Sequence, residues 1–415
     1  MSIEDAATSS SHGRRVVVTG FGVISSVGTG RAEFLSALRA GRCGVSPISR
    51  LDTTGFPHAM AYEVHDFEPA NHLQQVKPED CGRVSAQGAA AARMAVDDAG
   101  LDLDDLRAER GLIAIGTSAG ESIDVDELAA AEIAGGLGGL PETLVRRIMP
   151  GRLSVTVAAE LGLSNVEAVT IPTVCAAGNY AVGYGLDAIR LGEADVALCG
   201  GADAVSRVAF AGFYRLRAWA PEQVRPFDKD REGFMFGDGA AVLVLESLDH
   251  ARRRGATVLA EVAGLHLNCD AEHPTKPSAK RIAQCLDGAL RDASTEPANV
   301  DLVVAHGSGT KINDPTEVSA IRQVFGEEPP PVTAVKAMIG HTAGAAGAHA
   351  CIAAILGILH DFIPPTINFE TPDPDCLIDC VPNVARPARL NTVVVNSLGV
   401  GGQNASVVLR RLEDA

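Results

Sequence analysis

The sequence predicts an α/β fold made of two halves with the same order of elements. Short, mostly apolar β-branched runs, several of them ending in glycine, fit strands buried on both faces of a helix-covered sheet. Alanine-rich helical stretches separate these runs, so helix layers pack on the sheet. After Glu246 the same alternation begins again.

In the first half, strands are expected at Arg15–Gly20, Leu112–Gly116, Val196–Gly200 and Ala241–Leu245, with an apolar run at Ala168–Ile171 and helices at Ser85–Ala99 and Asn179–Leu191. In the second half, Ala256–Leu265, Leu302–Ala305, Thr392–Asn396 and Ala405–Leu409 read as strands. Lys280–Ala293, Asp314–Phe325 and Ala343–Leu359 read as helices. The irregular segments Asp52–Asp80 and Gly120–Gly151 read as insertions, the second of them a cap or a subunit contact. This divides the chain into residues 1–14, a frayed terminus, then 15–250 and 251–415. A strand ending in a polar, glycine-flanked residue occurs in each half, at Cys175 and at His306, which suggests two halves meeting at one central site.

Of 415 residues, 46% are hydrophobic and 35 Lys plus Arg oppose 52 Asp plus Glu, a formal net charge of −17. A broad basic surface for duplex nucleic acid or anionic lipid is therefore not expected, while a local basic docking patch is compatible with the composition. The first 14 residues have no apolar core of a signal peptide, and no stretch reaches the roughly 18 unbroken apolar residues of a membrane span. A cytoplasmic protein is expected. Nine cysteines, an odd and scattered set, suggest reduced thiols. Cys376 and Cys380 lie close together but have no second Cys/His pair nearby, so no metal site is expected there.

Four constellations carry chemistry. Thr173-Val174-Cys175-Ala176-Ala177-Gly178 lies between an apolar run and a helix, where the helix dipole and free N–H groups would favour a thiolate at Cys175. A buried structural thiol fits the same pattern. Ala305-His306-Gly307-Ser308-Gly309-Thr310 puts an imidazole directly after a strand, able to act as acid, base or donor, or simply to satisfy loop carbonyls. Asn313-Asp314 then has turn and helix N-cap character. Lys336 and His341 flank a short apolar stretch before a small-residue helix; both could point into a crevice, or be a solvated charge and a cap neighbour. Asn396-Ser397-Leu398-Gly399-Val400-Gly401-Gly402-Gln403-Asn404 is a glycine-spaced turn between strands that could offer N–H groups to an oxyanion, or be only a tight hairpin.

Together, in order and spacing, these pieces resemble the β-ketoacyl-acyl carrier protein synthases, closest to the type II elongating enzymes. Arg225-Pro226-Phe227-Asp228, Arg231-Glu232-Gly233-Phe234 and Gly237-Asp238-Gly239 extend the likeness to nearly the whole chain. The resemblance implies a thiolase fold, with βαβ-based halves in five layers (α-β-α-β-α). It also implies Cys175 as the acylated nucleophile, His306 and His341 as the two active-site histidines, Lys336 as the family lysine, and the N–H groups of Cys175 and Val400 as the oxyanion hole. Leu398, Val400, Gln403, Ser308 and Thr310 then fall in the gate and pocket. No cofactor or metal is implied. The implied partner is an acyl carrier protein bearing phosphopantetheine-bound acyl and malonyl-type substrates, in a homodimer or a heterodimer.

The sequence departs from the family pattern at the gate. Leu398 and Val400 stand where phenylalanine is usual, Ser308 and Gln403 where threonine is, Ala337 where serine is, and Ala350 near a usual carboxylate. A ketosynthase of polyketide or other secondary metabolism is the preferred expectation. The alternatives are an acyltransferase or intramolecular cyclase working without decarboxylation, and a non-catalytic chain-length partner subunit, against which Cys175 argues.

Overall fold

Ten strands lie side by side along one hydrogen-bonded path in the computed structural model, which describes residues 13–412 apart from residue 109. They are β1 (Val16–Ser25), β2 (Gly111–Gly116), β3 (Val166–Ile171), β4 (Val196–Asp203), β5 (Gly239–Ser247), β6 (Ala260–Cys269), β7 (Leu302–Val304), β8 (Val332–Thr333), β9 (Thr392–Leu398) and β10 (Gln403–Arg410). Their spatial order is β8-β7-β9-β10-β6-β1-β5-β4-β2-β3.

This path is two copies of one five-stranded pattern. In the first, β1 pairs antiparallel with β5 and β5 with β4, while β4 pairs parallel with β2 and β2 with β3. The second repeats this strand for strand, with β6, β10, β9, β7 and β8 in the same order and directions. Only two residue pairs, Val17–Glu261 and Val18–Ala260, join the two. The repeat expected from the order of elements is thus present in topology.

Helices fill three layers around the two sheets. α1 (Arg83–Ala99) and α3 (Arg152–Leu161) cover the outer face of the first, where Ile113 and Ile115 of β2 are buried. The alternate residues Leu112 and Ala114 face the other way, as the period of two in a strand requires, toward α4 (Ala177–Arg190) and α8 (Ala346–His360). Those two helices form the middle layer, closed on its far side by Val393, Val395, Val407 and Leu409 of the second sheet. α6 (Ala279–Asp292) and α7 (Asn313–Phe325) cover the outer face of that sheet against Val303, Val394 and Val408. The five-layer arrangement is present. The stretch 343–360 is long and apolar enough to cross a membrane, and it is 89% buried within the fold. Two further helices with few buried residues matter below, α2 (Ser122–Gly135) and α5 (Arg207–Arg215).

The middle helices touch backbone to backbone. A Cβ on Gly178 would come within 2.8 Å of the Ala348 nitrogen and 2.9 Å of the Gly344 oxygen, so only glycine allows this approach. Three expectations change. Residues 1–12 lie outside the described residues, but Arg14, expected to be frayed, is held by Ala194 O, Asp195 and Ser247. The long helix of the second half begins as a 3₁₀ turn, Ala343–Ala345, and becomes α-helical at Ala346. Finally, Cys175 and His306 are not equivalent in the repeat: Cys175 follows β3, whose counterpart β8 leads to Lys336 and His341, whereas His306 follows β7, the counterpart of β2.

Candidate active site

Cys175 is set by a strained turn. β3 ends at Ile171, and Val174 adopts φ +53°, a left-handed conformation costly for a β-branched residue, before the chain enters α4. The sulfur therefore sits at the N-terminal end of α4, as the sequence suggests. Burial pushes the pKa of its thiol up to about 11, opposed by the N–H of Val400, the charge of Lys336 and its own backbone N–H.

His306 and His341 face each other with ring centroids 5.3 Å apart and planes at 80°. Each ring is held the same way. Leu398 N–H donates to His306 Nδ1 at 3.2 Å, and Ala343 N–H donates to His341 Nδ1 at 3.2 Å. A nitrogen that accepts cannot carry the proton, so in both neutral rings the hydrogen is on Nε2. Burial, first, and the charge of Lys336, second, hold both imidazoles well below the ordinary histidine range; His341 also lowers His306. Both are neutral donors at neutral pH.

Lys336 lies behind His306. Its Nζ donates to His306 O at 2.6 Å and stands 3.4 Å from His306 Nδ1. Burial lowers its pKa to about 8, with the charge of Glu317 as the main opposing influence. Glu317 on α7 is buried and accepts the N–H groups of His306 (2.7 Å) and Gly307 (2.8 Å) and Asn396 Nδ2 (2.7 Å). Asp314, three residues earlier, does not cap its own helix; it accepts from Gly309 and Phe227 N–H groups. Neither carboxylate was singled out as a site residue from sequence. Acids three apart on the helix after the His306 loop, where one face turns back to the strand end, are the signal that could have found them.

Cys175, His306, His341, Ser308, Thr310, Leu398 and Val400 line one cavity of about 320 Å³. Its open end carries the exposed residues Leu216, Arg217, Glu232, Lys311 and Ile312. Phe213 of α5 and Phe234 and Phe236 form an aromatic wall that the sequence reading also missed, with Phe234 edge-on to His341 at 5.3 Å. Two expected site residues are elsewhere. Lys336 is not on the lining, consistent with an orienting position. Gln403 is a correction: it lies under the turn, its Oε1 buried 3.1 Å from where a Cβ of Gly401 would be, because β10 alternation turns Asn404, not Gln403, to the cavity.

The turn between β9 and β10 is well defined. Gly402 N–H donates to Gly399 O at 2.9 Å and Gly401 has φ +102°, which makes residues 399–402 a type II turn with Val400 at its second position. Chemically, the site offers a thiol, two N–H groups beside it and two Nε2–H donors facing the same space.

Comparison with known proteins places this geometry among relatives. Residues 13–251 match the family described as beta-ketoacyl synthase, N-terminal domain, and residues 259–370 its C-terminal domain. The chain is 38% identical to the 3-oxoacyl-[acyl-carrier-protein] synthase 2 of Coxiella burnetii, over 97% of this chain and 99% of the relative. It is also 38% identical to the tetracenomycin polyketide synthase ketoacyl synthase alpha subunit of Streptomyces glaucescens, over 96% and 97% respectively. Among solved structures it is similar to the ishigamide ketosynthase/chain length factor, with 53% identity, TM-score 0.95, and coverage of 97% of this chain and 100% of that one. A second, described as a type II polyketide synthase acyl-carrier protein in complex with its ketosynthase bound to the hexaketide, has 32% identity, TM-score 0.89, and coverage of 97% and 100%.

Proposed function

The chain belongs to the β-ketoacyl synthase family, and on that premise we propose that it condenses a Cys175-bound acyl chain with a carrier-bound malonyl-type unit in polyketide or related secondary metabolism. One observation carries this reading: both histidines accept a backbone N–H at Nδ1 and so direct Nε2–H into the cavity that holds Cys175. Residues 15–250 supply the nucleophile and 251–415 the histidines and Lys336. We propose a cytoplasmic setting for the reaction.

The first step is acyl transfer. The Cys175 sulfur attacks the carrier thioester, and the carbonyl oxygen becomes an oxyanion received by the N–H groups of Cys175 and Val400. The C–S bond to the carrier breaks, and the thiol proton of Cys175 leaves with the carrier thiol. In the second step the malonyl C–C bond breaks, CO2 departs, and its electron pair forms an enolate whose oxygen takes hydrogen bonds from His306 and His341 Nε2–H. In the third step the enolate carbon attacks the Cys175 acyl carbonyl, the same N–H pair holds the oxyanion, and collapse frees the β-ketoacyl carrier and the Cys175 thiolate, which takes a proton from water to restore the thiol. Decarboxylation provides the carbanion, so no cofactor is needed. Lys336 orients His306 and keeps both rings neutral; it transfers no proton. The outer edge of β3, half-buried and unpaired among the described residues, is a sheet edge open to a second subunit.

The test is incubation with malonyl-carrier and a panel of acyl-carriers, followed by mass spectrometry for acyl-enzyme, CO2 and condensed product. Cys175→Ala should abolish the acyl-enzyme, checked by peptide mapping against the other eight thiols. His306→Ala or His341→Ala should lower CO2 release on the order of 10²–10³-fold while sparing self-acylation. Turnover of acyl-carriers without CO2 from any malonyl donor overturns the condensation in favour of a non-decarboxylating transfer.

A further inference from the structure

Asp203, the last residue of β4, is a buried carboxylate that the proposed chemistry does not use. Its two oxygens accept four hydrogen bonds. Oδ2 takes Gly344 N–H at 2.6 Å and Ser118 N–H at 2.7 Å; Oδ1 takes the Thr117 hydroxyl at 2.8 Å and Ala119 N–H at 3.2 Å. It thus ties the loop leading into α2 to the 3₁₀ turn at the start of the 343–360 helix.

That turn is the one that fixes His341. Ala343 has φ +48°, a left-handed conformation that a residue with a Cβ adopts only when its surroundings impose it. Ala343 N–H is the group that occupies His341 Nδ1. The next N–H along the chain, that of Gly344, is the one bound by Asp203. The fit is closed: a Cβ on Gly344 would lie 2.5 Å from Thr117 Cα and 2.7 Å from Asp203 Oδ2. On the other side, Thr342 Oγ1 meets His349 Nδ1 at 3.1 Å, while His349 Nε2 meets Ile24 O at 3.0 Å.

We propose that Asp203 is a positioning residue for His341: by anchoring Gly344 it holds Ala343 in its strained conformation, keeps Ala343 N–H on Nδ1, and so keeps the imidazole proton on Nε2 and aimed into the cavity. The inference rests on the role proposed for His341. Asp203 also bears on the thiol, because its charge raises the Cys175 pKa.

Two variants separate this from general packing. In Asp203→Asn the amide oxygen can remain toward Gly344 and Ser118 and the amide nitrogen can donate to the Thr117 hydroxyl, so the Gly344 anchor is retained and only the longer bond from Ala119 N–H is lost. In Asp203→Ala, the N–H groups of Gly344, Ser118 and Ala119 lose their acceptor and Ala343 is released. Asp203→Ala should lower CO2 release by about 10²-fold while lowering self-acylation by less than about 10-fold. Asp203→Asn should stay within about 10-fold of wild type in both. The direct readout is ¹⁵N NMR of the full chain labelled at histidine: the His341 signals, assigned with His341→Gln, should report a single Nε2–H tautomer in wild type and a mixture in Asp203→Ala. This readout does not depend on turnover, so it tests Asp203 even if the enzyme releases no CO2. If Asp203→Ala does not fold, Asp203→Ser, which leaves one weak acceptor, takes its place. An unchanged His341 tautomer in the folded variant, or equal losses in both half-reactions, overturns the proposal.

Discussion

Val400→Pro isolates a single backbone N–H. Val400 holds the second position of a type II turn, where the backbone has φ near −60° and proline is favoured. The turn's own bond, Gly402 N–H to Gly399 O, does not involve the nitrogen of Val400, and neither does Gly399 N–H to Gln403 O. The side chain is 38% exposed, so little burial is lost. Proline at a compatible site stabilises by about 0.4–1 kcal/mol through the unfolded chain. The same change removes one of the two N–H groups that face the thiol. Loss of one oxyanion donor costs about 10²–10³ in rate, or roughly 2.7–4 kcal/mol. The variant should therefore melt no lower than wild type and yet form acyl-enzyme about 10²–10³-fold more slowly in stopped-time mass spectrometry. Val400→Ala, measured beside it, gives the contribution of the side chain alone, to be subtracted. A folded Val400→Pro that acylates within about threefold of wild type would refute the oxyanion assignment.

Two further outcomes follow from the same geometry. Val400→Phe fills the open end beside Leu398 with a ring, and should slow acylation by branched or bulky donors more than by short linear ones at unchanged melting temperature; a uniform loss would indicate a damaged oxyanion hole instead. Lys336→Met removes the cation that lowers both histidines, so the imidazoles protonate more easily and the acid limb of the CO2-release profile should move to higher pH. An acid limb that stays put or moves lower would show that Lys336 does not set their charge.

The parts of this protein written locally in the chain were legible. Leu112–Gly116 and Val196–Gly200 are apolar at every position, and they are central strands covered on both faces. Cys175, His306 and His341 stand next to glycines and small residues at element ends, and all three reach one cavity. What sequence did not reveal depends on distant partners. The thiol pKa is raised by burial and opposed by the N–H of Val400, a residue more than 200 positions away in the chain. Glu317 and Asp203 are ordinary acids until the fold brings them N–H groups from other segments, Asp203 from residues 117–119 and 344. α3 and α5 had no expectation at all, although Leu153, Val157 and Leu161 recur at helical spacing on the buried face of α3. Gln403 fell on the wrong side of its strand, because in a period of two a reading of the turn alone cannot say which alternate residues face the ligand.

The shared middle layer also constrains how the protein is made. α4 ends at Arg190, and the helix that covers it, α8, ends at His360, about 170 residues later. At a synthesis rate of roughly 5–20 residues per second the apolar face of α4 waits on the order of 10–35 s for its cover. Neither half can bury that face alone, because α4 and α8 each complete the other's core. The newborn N-terminal half is thus a sticky intermediate by construction, and production in a foreign host should gain more from slower synthesis or added chaperone than from any substitution that raises the stability of the finished fold.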